Sequence, residues 1–207
     1  MRRVAIGFGI AFVLTAGAAQ ARTGSILTRV LLRPSQVGPG YRLQQRPDGH
    51  GVRGLVTLDL CGFTFPSERL RTARLQVNYV RRGAAVLLSN EVVTYRPGGA
   101  QQALREVAHA ARHCPHHPVG NTVAGLPKFT YRIGWIHDRR LLPGAVALRV
   151  RASGMLNGKR VVVATLGIYQ VRRNVLSGVY TYGRSFSAQL PIGLHAAAQS
   201  AANLRRL

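Results

Sequence analysis

The residues with most obvious chemical capacity lie together. His109, His113, Cys114, His116 and His117 fall within one short segment. His109 and His113 are four apart, so one helical turn sets both rings on one face, a workable spacing for zinc. The segment lacks the Glu of a His-Glu-x-x-His hydrolase. A disulfide at Cys114 would remove the only thiolate. Histidines at a helix end are also favoured by the C-terminal dipole without any metal. The four histidines are therefore weak ligand candidates, and no cofactor is expected.

Carboxylates are scarce. Asp48, Asp59, Glu68, Glu91, Glu106 and Asp138 are the full set. Paired-carboxylate chemistry needs two acids placed together, and no spacing in the chain suggests such a pair. Nucleophilic catalysis needs an activated Ser or Cys with a base and an orienting acid, and no Gly-x-Ser-x-Gly elbow occurs. No catalysis is expected. Glu91 is the odd residue in an apolar segment. It either orients a ligand in a cleft or pairs with an arginine, and the ion pair is the preferred reading. Tyr95, Trp135 and Tyr182 fall on expected strands. Strand aromatics usually serve the core, but with Glu91 they form a speculative ligand-facing set, because a ring with a polar tip suits a binding surface.

Those side chains need elements to hold them. Ser25–Leu32 has a short helical pattern that Pro34 should stop. Residues 52–60 read as extended. From Ala73 to Tyr79, apolar residues alternate with Arg74, Gln76 and Asn78, the period of a strand with one buried face. Arg81-Arg82-Gly83 turns the chain, and 84–95 returns as a second strand. Ala100, Ala103, Leu104, Val107, Ala108 and Ala111 recur at helical steps, and Cys114 continues their stripe towards the core. Residues 115–128 read as a linker between two half-domains. Strands follow at 129–136, 145–151, 159–171 and 175–182. Asn157-Gly158 is a hairpin signal. The third of these strands is apolar at nearly every position and so central. A helical tail follows Pro191. The hairpins after Val80-Arg81-Arg82-Gly83 and Val171-Arg172-Arg173-Asn174 echo each other, each leading into an Ala-rich helix. The expected fold is α+β: an antiparallel sheet with helices packed on one face, built from two strand–turn–strand–helix half-repeats.

The N-terminus sets the compartment. Arg2 and Arg3 precede an uncharged run, 4–16, and Ala19-Gln20-Ala21 offers small residues where a signal peptidase reads. The run is short for a membrane span. Residues 1–21 are thus expected to be a signal peptide and 22–207 a single domain, secreted to the cell envelope, with no membrane-spanning segment in the mature chain. In an exported chain an even cysteine count reads as a disulfide, here Cys61–Cys114, whose loop entropy is worth roughly 4 kcal/mol. Two separate buried thiols are the alternative. Lys and Arg number 29 against 6 acids, a net charge of +23. Such a surface suits polyanions and anionic membranes. Arginine-rich codon usage accounts for the excess equally well, since only Lys128 and Lys159 are lysines. No nucleic-acid module is present, and no nucleic-acid partner is expected.

Leu31-Leu32-Arg33-Pro34, Gly40-Tyr41, Cys61-Gly62, Val80-Arg81-Arg82-Gly83, Ser89-Asn90-Glu91-Val92-Val93, Cys114-Pro115 and Val171-Arg172-Arg173-Asn174 together resemble the actinobacterial PknH-like extracellular sensor domains. The resemblance spans most of the mature chain. It implies a sheet-and-helix domain with a cleft for an unknown envelope ligand (small molecule, lipid or glycan) and no chemistry. It also implies kinship with free secreted proteins and lipoproteins. No kinase domain is expected, so signalling would need a partner. The functional expectation is an extracytoplasmic, non-catalytic, ligand-binding or sensor-like domain. Its rivals are a cationic envelope protein holding anionic lipid or polysaccharide, and a secreted hydrolase with an unrecognised site. N-terminal sequencing of the protein made by its native cell is expected to read from Arg22; Met1 and two free thiols retained inside the cell would refute export.

Overall fold

The computed structural model describes residues 26–45, 51–81, 83, 86–120, 127–183 and 185–207. The expected signal peptide lies outside these residues, as do positions 121–126 of the expected linker. The sheet comprises β1 (Arg42–Gln45), β2 (Arg71–Val80), β3 (Val86–Tyr95), β4 (Phe129–Trp135), β5 (Val146–Leu156), β6 (Lys159–Arg172) and β7 (Val175–Gly183). The helices are α1 (Pro34–Val37), α2 (Gly99–Arg112) and α3 (Phe186–Arg205), with a 3-10 turn at Pro66–Leu70 and a helical stretch at 26–30. All seven strands form one antiparallel sheet in the order β1-β2-β3-β7-β6-β5-β4. The α+β antiparallel architecture is as the sequence indicates.

The placement of the helices differs from expectation: they cover opposite faces. α2 packs its Ala103, Val107 and Ala110 against Val93, Leu148, Tyr169 and Leu176. α3 packs Leu194, Ala197 and Leu204 against Val77, Val92, Ile168 and Val175. Adjacent strand residues point to opposite faces, so Val92/Val93 and Val175/Leu176 serve both helices. This is why the middle of the sheet is apolar at both parities; Val92 and Val93 are each fully buried. The half-repeat is limited to the hairpins for the same reason. A rotation exchanging antiparallel β3 and β7 runs normal to the sheet and keeps each face in place, so it cannot relate helices on opposite faces.

Four local expectations also change. Pro34 opens α1 at the first turn, where its missing N–H costs nothing, and the Gln36 side chain accepts from the Arg33 N–H at 3.0 Å. Residues 52–60 form a loop without strand pairing. In β2, Arg74 and Gln76 are buried along with Leu75 and Val77, so the strand has no solvent face at its centre. α3 begins ahead of Pro191, at a Ser185 cap whose hydroxyl accepts from the Ser187 N–H. The hairpin at Asn157-Gly158 forms with positive φ at both residues, 50° and 74°. The segment at 115–120 is not free-running, since Val119 bridges to Phe129.

Cys61 and Cys114 are joined, with Cα atoms 5.4 Å apart. Cys114 lies just beyond α2, so the bond ties the loop at 51–65 to the end of that helix. Gly62 then passes so close to the next segment that a Cβ there would meet the Gly120 carbonyl at 3.0 Å and Val119 at 3.2 Å. Reducing the disulfide, or the Cys61→Ser/Cys114→Ser variant, is expected to lower stability by roughly 4 kcal/mol. Urea unfolding monitored by circular dichroism reads this directly, and an unchanged midpoint would show that α2 holds the loop unaided.

Candidate functional site

The loop at 51–65 has no strand partners, yet it is held firmly. Its fastener is Arg71 at the start of β2. The guanidinium donates to the carbonyls of Val52 at 3.2 Å and Leu55 at 2.6 Å, and to the Thr57 hydroxyl at 2.9 Å. Glu68, on the 3-10 turn, accepts from the Thr57 and Leu58 N–H groups at 3.0 and 3.2 Å and pairs with Arg71 at 3.2 Å. The Thr57 hydroxyl donates to Glu91 at 2.8 Å. Glu91 pairs with Arg74, Arg74 donates to Gln76, and Gln76 donates to Ser89 at 2.9 Å. A continuous polar seam thus crosses the α2 face of β2 and β3. On the 3-10 turn, Ser67 is similarly tied to Glu106 of α2, its hydroxyl donating at 2.6 Å.

Burial pushes the Glu91 and Glu68 carboxyls above their ordinary range, although Arg74 and Arg71 draw them back. The two acids meet through Thr57, a pairing that the chain spacing does not reveal. Their lone pairs are occupied by arginine, hydroxyl and backbone donors, so the arrangement secures a loop.

Between that loop and Val119-Gly120 lies a hollow of about 900 Å³. Its lining is mainly apolar, with Val56, Leu58, Phe63, Phe65 and Pro66, and Glu68, Arg69 and Arg71 supply its polar edge. A second, smaller hollow of about 160 Å³ lies between β1, β2 and β3 and reaches Tyr182. Gln76 and Ser89 line it, so the polar seam runs from one hollow to the other.

The predicted site residues are distributed as follows. Glu91 is buried in the seam, 3 % exposed, and does not line either hollow. Tyr95 is buried beneath α2, and its hydroxyl has no hydrogen-bond partner among the described residues; burial raises its pKa far above the usual phenol value. Trp135 packs at the edge of the α2 core with the Arg112 guanidinium 5.3 Å from its ring. Tyr182 is partly exposed at the far end of the sheet. These four do not converge on one point. His109 and His113 stack at 4.1 Å, and the ring of His113 bonds to the His109 carbonyl. His116 and His117 follow on the exit segment. Among the described residues no group of three or more potential ligands could hold a metal. Sequence reasoning missed Arg71, Glu68, Thr57 and Arg74. A signal did exist: Gln76 and Asn78 on β2 face Glu91 and Ser89 on β3, a polar stripe spanning two strands.

The fold and its hollows define a class, the open antiparallel α+β domain with one long helix on each face and a loop-walled apolar recess. No family model matches the chain, and no curated protein matches it. Among solved structures, the extracellular domain of PknH from Mycobacterium tuberculosis superposes with a TM-score of 0.54 at 14 % identity, covering 85 % of this chain and 95 % of that one. The two share a fold. LpqN, described as involved in cell envelope biogenesis of Mycobacterium tuberculosis, aligns at 13 % identity over 80 % of this chain and 83 % of its own, but its TM-score of 0.28 carries no argument.

The seam makes a pH prediction. A carboxyl whose folded pKa is raised binds its proton more tightly in the folded state. Stability is therefore greatest below its ordinary value of 4.5 and falls as pH rises through the raised one. Chemical denaturation across this range is expected to show that decline. The Glu91→Gln variant, a neutral isostere that cannot ionise, should flatten it. An unaltered pH profile would mean that Glu91 does not carry the effect.

Proposed function

We propose that this chain is an extracytoplasmic, non-catalytic domain of sensor type that binds an apolar or amphipathic envelope ligand. The observation that carries the proposal is the 900 Å³ hollow walled by the loop at 54–66. Its size lies in the range of small-molecule sites, and its make-up is typical of them, an apolar lining with a few polar groups at one side. The Arg71–Glu68 pair and the disulfide hold that wall in place ahead of any ligand, which lowers the cost of binding.

Other features support the compartment. The Cys61–Cys114 bond suits an oxidising environment. The N-terminal residues have the pattern of an export signal. Among the described residues no helix is long and apolar enough to cross a membrane. The fold shared with an extracellular domain agrees with this placement.

The test uses N-phenyl-1-naphthylamine, a neutral apolar fluorophore that the positive surface does not concentrate. The disulfide-bonded chain is expected to bind it saturably, one to one, with an affinity that raised salt leaves unchanged. Val56→Asp, which charges the lip of the hollow at a half-exposed position, is expected to weaken binding roughly tenfold, the effect of about 1.4 kcal/mol. No saturable binding, or full binding by the variant, would overturn the assignment of the hollow. Turnover of an ester or glycoside panel, lost in Glu68→Gln, would replace the binding reading with a hydrolase.

A further inference from the structure

The exposed apolar side chains are not scattered. Met155, Leu156, Val162 and Val163 on the β5–β6 hairpin, Leu87 on β3 and Tyr182 on β7 are all substantially exposed, from 36 % at Val163 to 57 % at Met155. They lie at one end of the sheet, because Leu87 pairs with Tyr182, Tyr182 with Thr165, and Ala152 with Val163. Leu43 on β1 joins the same rim through its pairing with Tyr79. Among the described residues, Val56 is the one large exposed apolar side chain elsewhere.

The β5–β6 hairpin projects from this end. β7 leaves β6 at the Gly183–Ala164 pair, and β4 leaves β5 at the Phe129–Gly154 pair. Residues 155–163 therefore extend beyond both neighbours. At about 3.3 Å per residue, the stretch from Val163 to Gly158 reaches roughly 17 Å past the end of β7. The tight turn at Asn157-Gly158 closes it, with Lys159 and Arg160 exposed beside the tip. Strand alternation sets Met155 and Val162 on one face of the hairpin and Leu156 and Val163 on the other.

The charged residues at this end are all of one sign. The segments meeting at this end, 41–44, 79–90, 127–132, 151–165 and 180–187, contain no Asp or Glu. They carry Arg42 and Arg81, both exposed, besides the basic pair at the tip.

We propose that this end of the sheet docks on an anionic lipid bilayer, with the β5–β6 hairpin inserted into the headgroup region. A protein groove would cover one face of a strand pair. A hairpin apolar on both faces is buried on all sides only by a fluid medium. The interleaved cations match anionic headgroups, and an apolar element flanked by Lys and Arg is the usual composition of an interfacial anchor. A second copy of this chain would bring like charges together at the same rim.

The experiment is co-sedimentation of the disulfide-bonded chain with vesicles of phosphatidylcholine alone and with about a third phosphatidylglycerol. Binding is expected to the anionic vesicles, with little to phosphatidylcholine. Met155→Ser/Leu156→Ser, at exposed positions that leave the core intact, should bind roughly tenfold more weakly, in line with the loss of apolar burial. Lys159→Glu/Arg160→Glu should do the same, whereas Arg96→Glu/Arg105→Glu, an equal charge change at the opposite end and on α2, should bind as the parent does. No binding to anionic vesicles would overturn the proposal. So would equal loss in both charge variants, or full binding by the serine variant, since each means that non-specific charge alone holds the surface. A dimer that the serine variant dissolves would assign the hairpin to a second copy.

Discussion

The Thr57 hydroxyl, held between Arg71 and Glu91, is the contact on which the recess depends. The loop at 51–65 has no strand partners, so its backbone groups must be satisfied by side chains. Arg71 takes two of its carbonyls and Glu68 two of its N–H groups. Both anchors belong to the same corner of the fold, the 3-10 turn and the first residue of β2. The disulfide fixes the other end of the loop. A wall held at two points by charge and by a covalent bond keeps an apolar hollow open that would otherwise tend to collapse on itself.

The same seam explains the distribution of acidic residues. Glu68, Glu91 and Glu106 all serve internal contacts on the α2 side, and Asp138 is spent on Arg140. The three glutamates are thus internal fasteners, whereas the Asp138–Arg140 pair lies at the surface. The opposite side of the sheet uses neutral fasteners. Asn90 bonds to the Leu32 N–H, Ser177 and the Gly178 carbonyl, and Gln170 joins Leu142 to the Ala197 carbonyl of α3. Among the described residues, charge is buried on one face only, where a loop has to be restrained.

Much of this was legible in the chain. The alternation in β2, the Ala stripe of α2 and the Asn157-Gly158 turn each describe a local geometry that residue order fixes. The largely apolar run of β6 marked it as an inner strand, and it lies between β7 and β5, one place from the middle of the sheet. The faces of the helices were not legible. Apolar residues at both parities in β3 and β7 require cover on each side, but they do not say which helix supplies it. The seam escaped for a different reason. Arg74 and Gln76 occupy the polar parity of β2, which reads as solvent, and only the loop from earlier in the sequence turns that side into interior. The recess depends on the same long-range packing, so neither Val56 nor Phe63 stood out. Of the aromatic set, Tyr95 became core because α2 descends upon it.

The strand order has a consequence for how the molecule comes into being. β7 is the last strand in the chain, yet it sits between β3 and β6. Until it is in place, β3 is an unprotected edge, rich in valine and leucine and ready to pair with any other extended chain. The first half, even once stapled, is therefore an aggregation-prone fragment. Closure waits on contacts between residues some 87 positions apart, such as Asn90 with Ser177, and long-range pairing of this kind slows folding. A chain arranged this way gains a stable sheet only when its C-terminal third has arrived, which puts a premium on chaperoning during synthesis or transport.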